Sequence, residues 1–121
     1  MKVFISHQQA DALKAGEVAR HLNYYHGIST YLDVVDPLIG THQGPELAEH
    51  VRREMDNCDS LLAVVSPYTA NSQWVPWEVG IATEKDSPLA TFASGVVALP
   101  EFLQKWPYIK SMLELDKYAN A

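Results

Sequence analysis

The stretch "SQWVPWEVGIA", residues 72 to 82, carries one acid among apolar neighbours. Each helical residue advances about 100°, so with Trp74 at zero, Glu78 lies near about 40°, Ala82 near about 80°, Val75 near about 100° and Ile81 near about −20°. That places a carboxylate inside the arc that should face the domain. Burying an unpaired carboxylate costs several kcal/mol. Either something compensates for it, or a site needs it. An acid near a helix N-terminus also gains roughly 0.3–1 kcal/mol from the helix dipole. On the pattern alone the structural and the chemical readings of Glu78 stand level. Trp74, one turn earlier, is either a core residue or a flat wall on which a ring stacks beside the acid. Trp77 and Trp106 carry no positional argument and are assigned to the core.

The elements that must hold these residues follow from the apolar pattern. "KVFIS" (2–6) reads as a buried strand. Ala15, Val18, Ala19 and Leu22 recur at helical spacing, and Gly27 is a natural stop. "STYLDVV" (29–35) is a second strand, "DPLIGTHQGP" (36–45) a loop, and "ELAEHVRREM" a helix. "SLLAVVS" (60–66) lacks polar alternation, which predicts a strand covered on both faces. "PYTANSQ" is a turn, Ser72 can cap the next helix, and Pro76 must lie in its first turn. "LATFAS" (89–94) is a fourth strand, and "GVVAL" a short fifth or a loop. "LPEFLQKW" and "PYIKSMLELDKY" are read as two helical segments, with Pro107 beginning the second. Strand and helix alternate. This predicts an α/β domain over residues 1–121, with a central parallel sheet of four to five strands and helices on both faces.

Ligands of such sheets bind beyond the carboxyl ends of the strands. Ser6-His7-Gln8, Asp33 to Asp36 and Ser66-Pro67-Tyr68 occupy those ends, and the helix of Trp74 and Glu78 starts just after the third. Glu78 is therefore expected at the mouth of a cleft. Taken alone, His7 reads as an ordinary loop histidine, Asp33 and Asp36 as turn formers, and Arg52-Arg53 as a solvated face. The five histidines show no metal-ligand spacing, so no metal is expected. No serine elbow, P-loop or dinucleotide fingerprint occurs.

The 121 residues suit one core, and 47% hydrophobic with 20% charged residues predicts a folded chain. A formal net charge of −6 disfavours nucleic acid and anionic membranes as partners. Cys58 is the single cysteine, so no internal disulfide forms. That, with no signal peptide and no membrane-length apolar run, predicts a cytosolic protein.

Together these residues resemble a known family. "VFISH" with Asp11, "TYLD", the Gly/Pro loop, and "LLAVVSPYTANSQW" followed by Glu78 look like a Toll/interleukin-1 receptor (TIR) domain over most of residues 2–94. Its most specific part is S-x-W-x-x-x-E, here Ser72, Trp74 and Glu78. The carboxyl-terminal segment is similar to small bacterial TIR proteins, including those of antiphage systems. Val75, where many members have cysteine, and Pro76 depart from the pattern.

The resemblance implies a flavodoxin-like three-layer fold. For enzymatic members it implies cleavage of the nicotinamide–ribose bond of NAD, with NAD as substrate and no cofactor. Glu78 would be the catalytic acid beside a cation-like ribose. Trp74 would stack on a ring of the dinucleotide, Phe4, Ser6 and His7 would line the cleft, and Asp33, Ser66 and Tyr68 would contact substrate from the strand ends. Self-association through residues 36–45 and a downstream effector of a nucleotide signal are implied partners. A non-enzymatic TIR–TIR interaction module, or a nucleoside deoxyribosyltransferase-like enzyme, remain open alternatives.

Overall fold

The computed structural model describes residues 1–32, 44–93 and 97–120. Five strands form one parallel sheet: β1 (Lys2–His7), β2 (Ser29–Tyr31), β3 (Ser60–Val64), β4 (Leu89–Phe92) and β5 (Tyr108–Ile109). Their order is β2-β1-β3-β4-β5. The chain first steps from β1 to one side and then to the other, so the topological switch falls between β1 and β3. This is the order of flavodoxin-like folds. Helices α1 (Ala12–His26), α2 (Gly44–Asp56), α3 (Trp74–Glu84) and α4 (Met112–Ala119) cover both faces.

The period-two alternation of the strands sorts the core into two layers. Val3, Ile5, Leu62, Val64 and Phe92 pack under Val18 and Leu22 of α1 and Leu115 of α4. Phe4, Tyr31, Leu61, Ala63 and Val65 pack under Val51 and Met55 of α2 and Val75, Val79 and Ala82 of α3. Both faces of β3 are buried, as its unbroken apolar run requires. Gly27 ends α1 at φ +64, and its N–H donates to the carbonyls of Leu22 and Asn23. A left-handed residue there meets orphan carbonyls that an L side chain would meet only under strain.

Several expected boundaries shift. β2 is described over Ser29–Tyr31, with residues 33–35 of the expected strand outside the described residues, and β3 ends at Val64, short of its apolar run. "LPEFLQKW" gives only a 3-10 turn, Glu101–Leu103. Pro107 does not begin a helix. Tyr108 and Ile109 instead pair with Thr91 and Phe92 as the edge strand β5. The last helix starts after Ser111, whose Oγ accepts from the Glu114 N–H. Pairing with a neighbouring strand, which is non-local, overrides the local helical pattern. Trp77 is 36% exposed, so it is not a core residue. No helix among the described residues is long and apolar enough to cross a membrane.

Leu115 is fully buried against α1 and the sheet. Leu115→Ala should lower the unfolding free energy by about 2–5 kcal/mol in urea titration. A loss below about 0.5 kcal/mol would mean that α4 does not belong to the cooperative core.

Candidate functional site

The site grows from two elements that meet at the topological switch. On β1, Phe4 and Ser6 share the face turned toward α3, two residues apart. Ser6 is the last such position before the strand ends at His7. On α3, the buried positions are Val75, Glu78, Val79 and Ala82. The buried arc is therefore centred near Val75 and Ala82 rather than on Trp74. Glu78 lies inside it and Trp74 at its margin.

The Ser6 hydroxyl donates to Glu78 Oε1 across 2.6 Å. Only 1% of Ser6 and 3% of Glu78 is exposed. The bond length is that of a hydroxyl donating to a carboxylate, a contact stronger than one between neutral groups. It fixes the acid at the carboxyl end of β1, beside β3. Among the described residues, the acid is covered more deeply than the cleft-mouth position expected from the sequence.

The helix start is built locally. Ser72 Oγ accepts from the Val75 N–H at 3.1 Å, satisfying one orphan donor. Pro76 falls in the first turn, where its missing N–H costs nothing. Trp74 is the first helical residue, 40% exposed, and meets Trp77 edge-to-face with ring centroids 5.3 Å apart. An indole surface thus stands open to solvent one turn before the buried acid.

The other expected residues divide. His7 is buried at the end of β1, with Nδ1 3.0 Å from the Gln8 carbonyl oxygen. Phe4 stacks on Tyr31 at 5.2 Å within the apolar layer. Ser66 caps the 3-10 turn Pro67–Asn71, accepting from the Tyr68 N–H, and its hydroxyl donates to Asp11 Oδ2 at 2.9 Å. That hydroxyl is thereby tied into the loop scaffold. Thr69 completes the cap by accepting from the Ser66 N–H at 3.0 Å. Tyr68 is exposed on this turn. Asp33 and residues 36–43 of the expected association loop lie outside the described residues. Gly44, its penultimate residue, opens α2 at φ +55.

Sequence reasoning named Asp11 only within the family resemblance and not as the buried anchor that Ser66 engages. It also passed over Thr91, fully buried on β4. The register runs from Ser6 to Ala63, to Thr91 and to Tyr108, so these four form one row across the sheet. The Thr91 hydroxyl has no hydrogen-bond partner within that row or elsewhere among the described residues. A polar row thus crosses the face that α2 and α3 cover, with a small alanine between the hydroxyls of Ser6 and Thr91. Cys58 lies apart from the row, and burial pushes its thiol up to about 11, which makes it a poor nucleophile. Chemically, the site offers one positioned carboxylate, a hydroxyl that orients it, and an exposed aromatic surface at the helix start.

Comparison with known proteins agrees with this architecture. A family model described as the TIR domain matches residues 3–114. A protein of Bacillus cereus (strain MSX-D12), named as a probable 3' cyclic ADP-D-ribose synthase ThsB', is 33% identical over 82 residues. That match covers 64% of this chain and 41% of the relative, so the chain spans less than half of that protein's length. Among solved structures, the TIR domain of the Toll-related receptor TRR-2 from Hydra magnipapillata superposes with a TM-score of 0.76 at 16% identity, covering 98% of both chains. A 2-deoxyribosyltransferase from Bacillus psychrosaccharolyticus gives 0.67 at 13% identity, covering 98% of this chain and 92% of that one. At such identities these two establish the fold alone. The family assignment rests on the match over residues 3–114, which takes in the sheet, the Ser6–Glu78 pair and the start of α4: the chain belongs to the TIR domain family.

Proposed function

We propose that this TIR domain cleaves the nicotinamide–ribose bond of NAD, with Glu78 as its catalytic residue, and passes the ADP-ribosyl group to an acceptor that yields a cyclic product. The observation that carries the proposal is the Glu78 carboxylate. It is buried at the β1–β3 switch, held by Ser6 Oγ, and sits one turn from an exposed tryptophan. The similarity to a protein named as a probable cyclic ADP-ribose synthase points the same way.

The chemistry asks little of the protein. The C1′–N bond breaks with its electron pair going to the pyridinium nitrogen, which leaves as neutral nicotinamide. Positive charge develops on the ribose C1′ and ring oxygen. A carboxylate close to that ribose stabilises the charge, and more strongly where water is excluded. The Ser6 hydroxyl keeps the carboxylate from having to reorganise as the charge appears. Trp74 supplies a face on which a nicotinamide or adenine ring stacks. Attack on C1′ by water gives ADP-ribose. Attack by a hydroxyl or ring nitrogen of the same molecule closes a cycle, and a covered site favours that intramolecular acceptor.

Chromatography of NAD incubated with concentrated protein should show nicotinamide release. Glu78→Gln should reduce that release by at least about 10²-fold, the scale for loss of a main electrostatic stabiliser. Glutamine keeps an oxygen that can accept from Ser6, so the variant should melt no lower than the parent protein. A variant that kept most of its activity would falsify the catalytic assignment. Deoxynucleoside base exchange without nicotinamide release would place the chain with the transferases instead.

Self-association completes this reading. The segment 36–45 would pack against a second copy and close the dinucleotide site. Specific activity should then rise with protein concentration. Gly44→Pro should flatten that rise, because proline holds φ near about −65° and the position sits at φ +55. Constant specific activity across a wide dilution series would contradict a shared site.

The product is proposed to act as a nucleotide signal read by a separate effector. Mass spectrometry should find the mass of NAD less nicotinamide, without added water. Linear ADP-ribose alone would reduce the function to NAD depletion.

A further inference from the structure

At the far end of the molecule from Glu78, three metal-competent side chains converge. His21 and His26 lie on the last turns of α1, and Asp116 on α4. His21 Nε2 is 2.5 Å and His26 Nε2 2.8 Å from the same carboxylate oxygen, Asp116 Oδ1. One ligand atom from each of the three falls within 4.8 Å of the others. The place is set by topology. His26 precedes β2, whose first residue Ser29 pairs with Lys2 at the amino end of β1. Ser6, which holds Glu78, stands four residues further along β1, about 13 Å away at strand rise.

We infer that His21, His26 and Asp116 form a binding site for a divalent transition-metal ion of the zinc class. Two imidazoles with one carboxylate are a donor set of borderline softness, suited to zinc, cobalt or nickel rather than to magnesium or calcium. Bonds of about 2.0–2.2 Å in a tetrahedral shell hold ligand atoms about 3.3 Å apart. Both ring nitrogens lie against the same Oδ1, so an ion entering between them needs each of these two contacts to open by less than about 1 Å, with the two ring nitrogens, within 4.8 Å of each other, settling to the same spacing.

The side chains permit that motion selectively. His21 and His26 are 19% and 10% exposed, while Asp116 is 36% exposed. The histidines are thus held and the carboxylate can swing. Three protein ligands leave a fourth position, on the exposed side, for water.

The consequence is mechanical. The ion would tie the end of α1 to α4, the two helices that cover one face of the sheet. The spacing of His21 and His26 matches no familiar ligand motif, and Asp116 is 95 residues from His21, so this grouping is invisible in the sequence.

The test uses tag-free protein stripped with a chelator and then titrated with zinc chloride. Calorimetry should give one ion per chain. At a hundredfold excess over Kd the melting temperature should rise by roughly 10 °C, because the ion binds the folded state alone. Magnesium should produce no shift. The double variant His26→Gln, Asp116→Asn should lose zinc binding while keeping its circular dichroism. If that variant fails to fold, the wild-type protein decides the matter by NMR: zinc should move the imidazole resonances of His21 and His26 and leave those of His7 and His50 in place. Absence of zinc binding, unchanged binding by the folded variant, or shifts confined to other histidines would each overturn the inference.

Discussion

Placing a carboxylate beneath a helix, against a sheet, is the constraint around which this fold is arranged. Desolvating an acid costs several kcal/mol, and a single hydrogen bond to a charged group returns about 1.5–3 kcal/mol. The Ser6 hydroxyl, 2.6 Å from Glu78 Oε1, is one such return. It is delivered by the last position of β1 that faces α3. The alternation of β1 sends Val3 and Ile5 to one layer and Phe4 and Ser6 to the other. Shifting that strand by one residue would exchange the layers and remove the hydroxyl from the acid. The polar pair therefore ties strand register to the position of α3.

The surroundings of the pair follow from this requirement. Helix α3 must begin at a fixed point to bring Glu78 over Ser6, and Ser72, through its bond to the Val75 N–H, fixes that point. The preceding turn is in turn locked by Ser66, Thr69 and Asp11. An unbroken run of hydrogen bonds thus leads from the end of β3 to the first turn of α3. The same geometry leaves Trp74 outside the apolar layer, against Trp77. For a reaction that develops positive charge on a sugar, a preset carboxylate and an aromatic platform are an economical pair of tools. The hydrophobic layers beneath them supply rigidity, and under the proposed function Ser6 at the end of β1 with Trp74 and Glu78 on α3 would supply the chemistry.

Much of this was legible in the sequence because it is local. Gly27 announced the end of α1, the unbroken apolar run of residues 60–65 announced a central strand, and Glu78 stood out on its own helical wheel. What was missed depends on contacts between distant residues. The strand at Tyr108–Ile109 exists because it pairs with β4, and its own residues read equally well as the start of a helix. Trp77 was assigned to the core on hydrophobicity alone, yet α3 buries the arc around Val75 and Ala82 and turns it outward. The partner of Glu78 lies 72 residues away, so an acid in an apolar arc could be flagged but its hydroxyl partner could not be identified. Ser66 illustrates the converse. A serine at a strand end reads as a substrate contact, and the bond of its hydroxyl to Asp11, 55 residues away, is a partner the sequence does not display.

The central claim is that NAD binds with its reactive ribose against Glu78. A crystal structure of the Glu78→Gln variant, soaked with intact NAD, tests it most directly. The account predicts the nicotinamide-bearing ribose beside the side-chain amide of residue 78, with a ring of the dinucleotide stacked on Trp74. Intact NAD seated elsewhere, for example in the groove lined by Arg20, Tyr24 and Thr30, would contradict it.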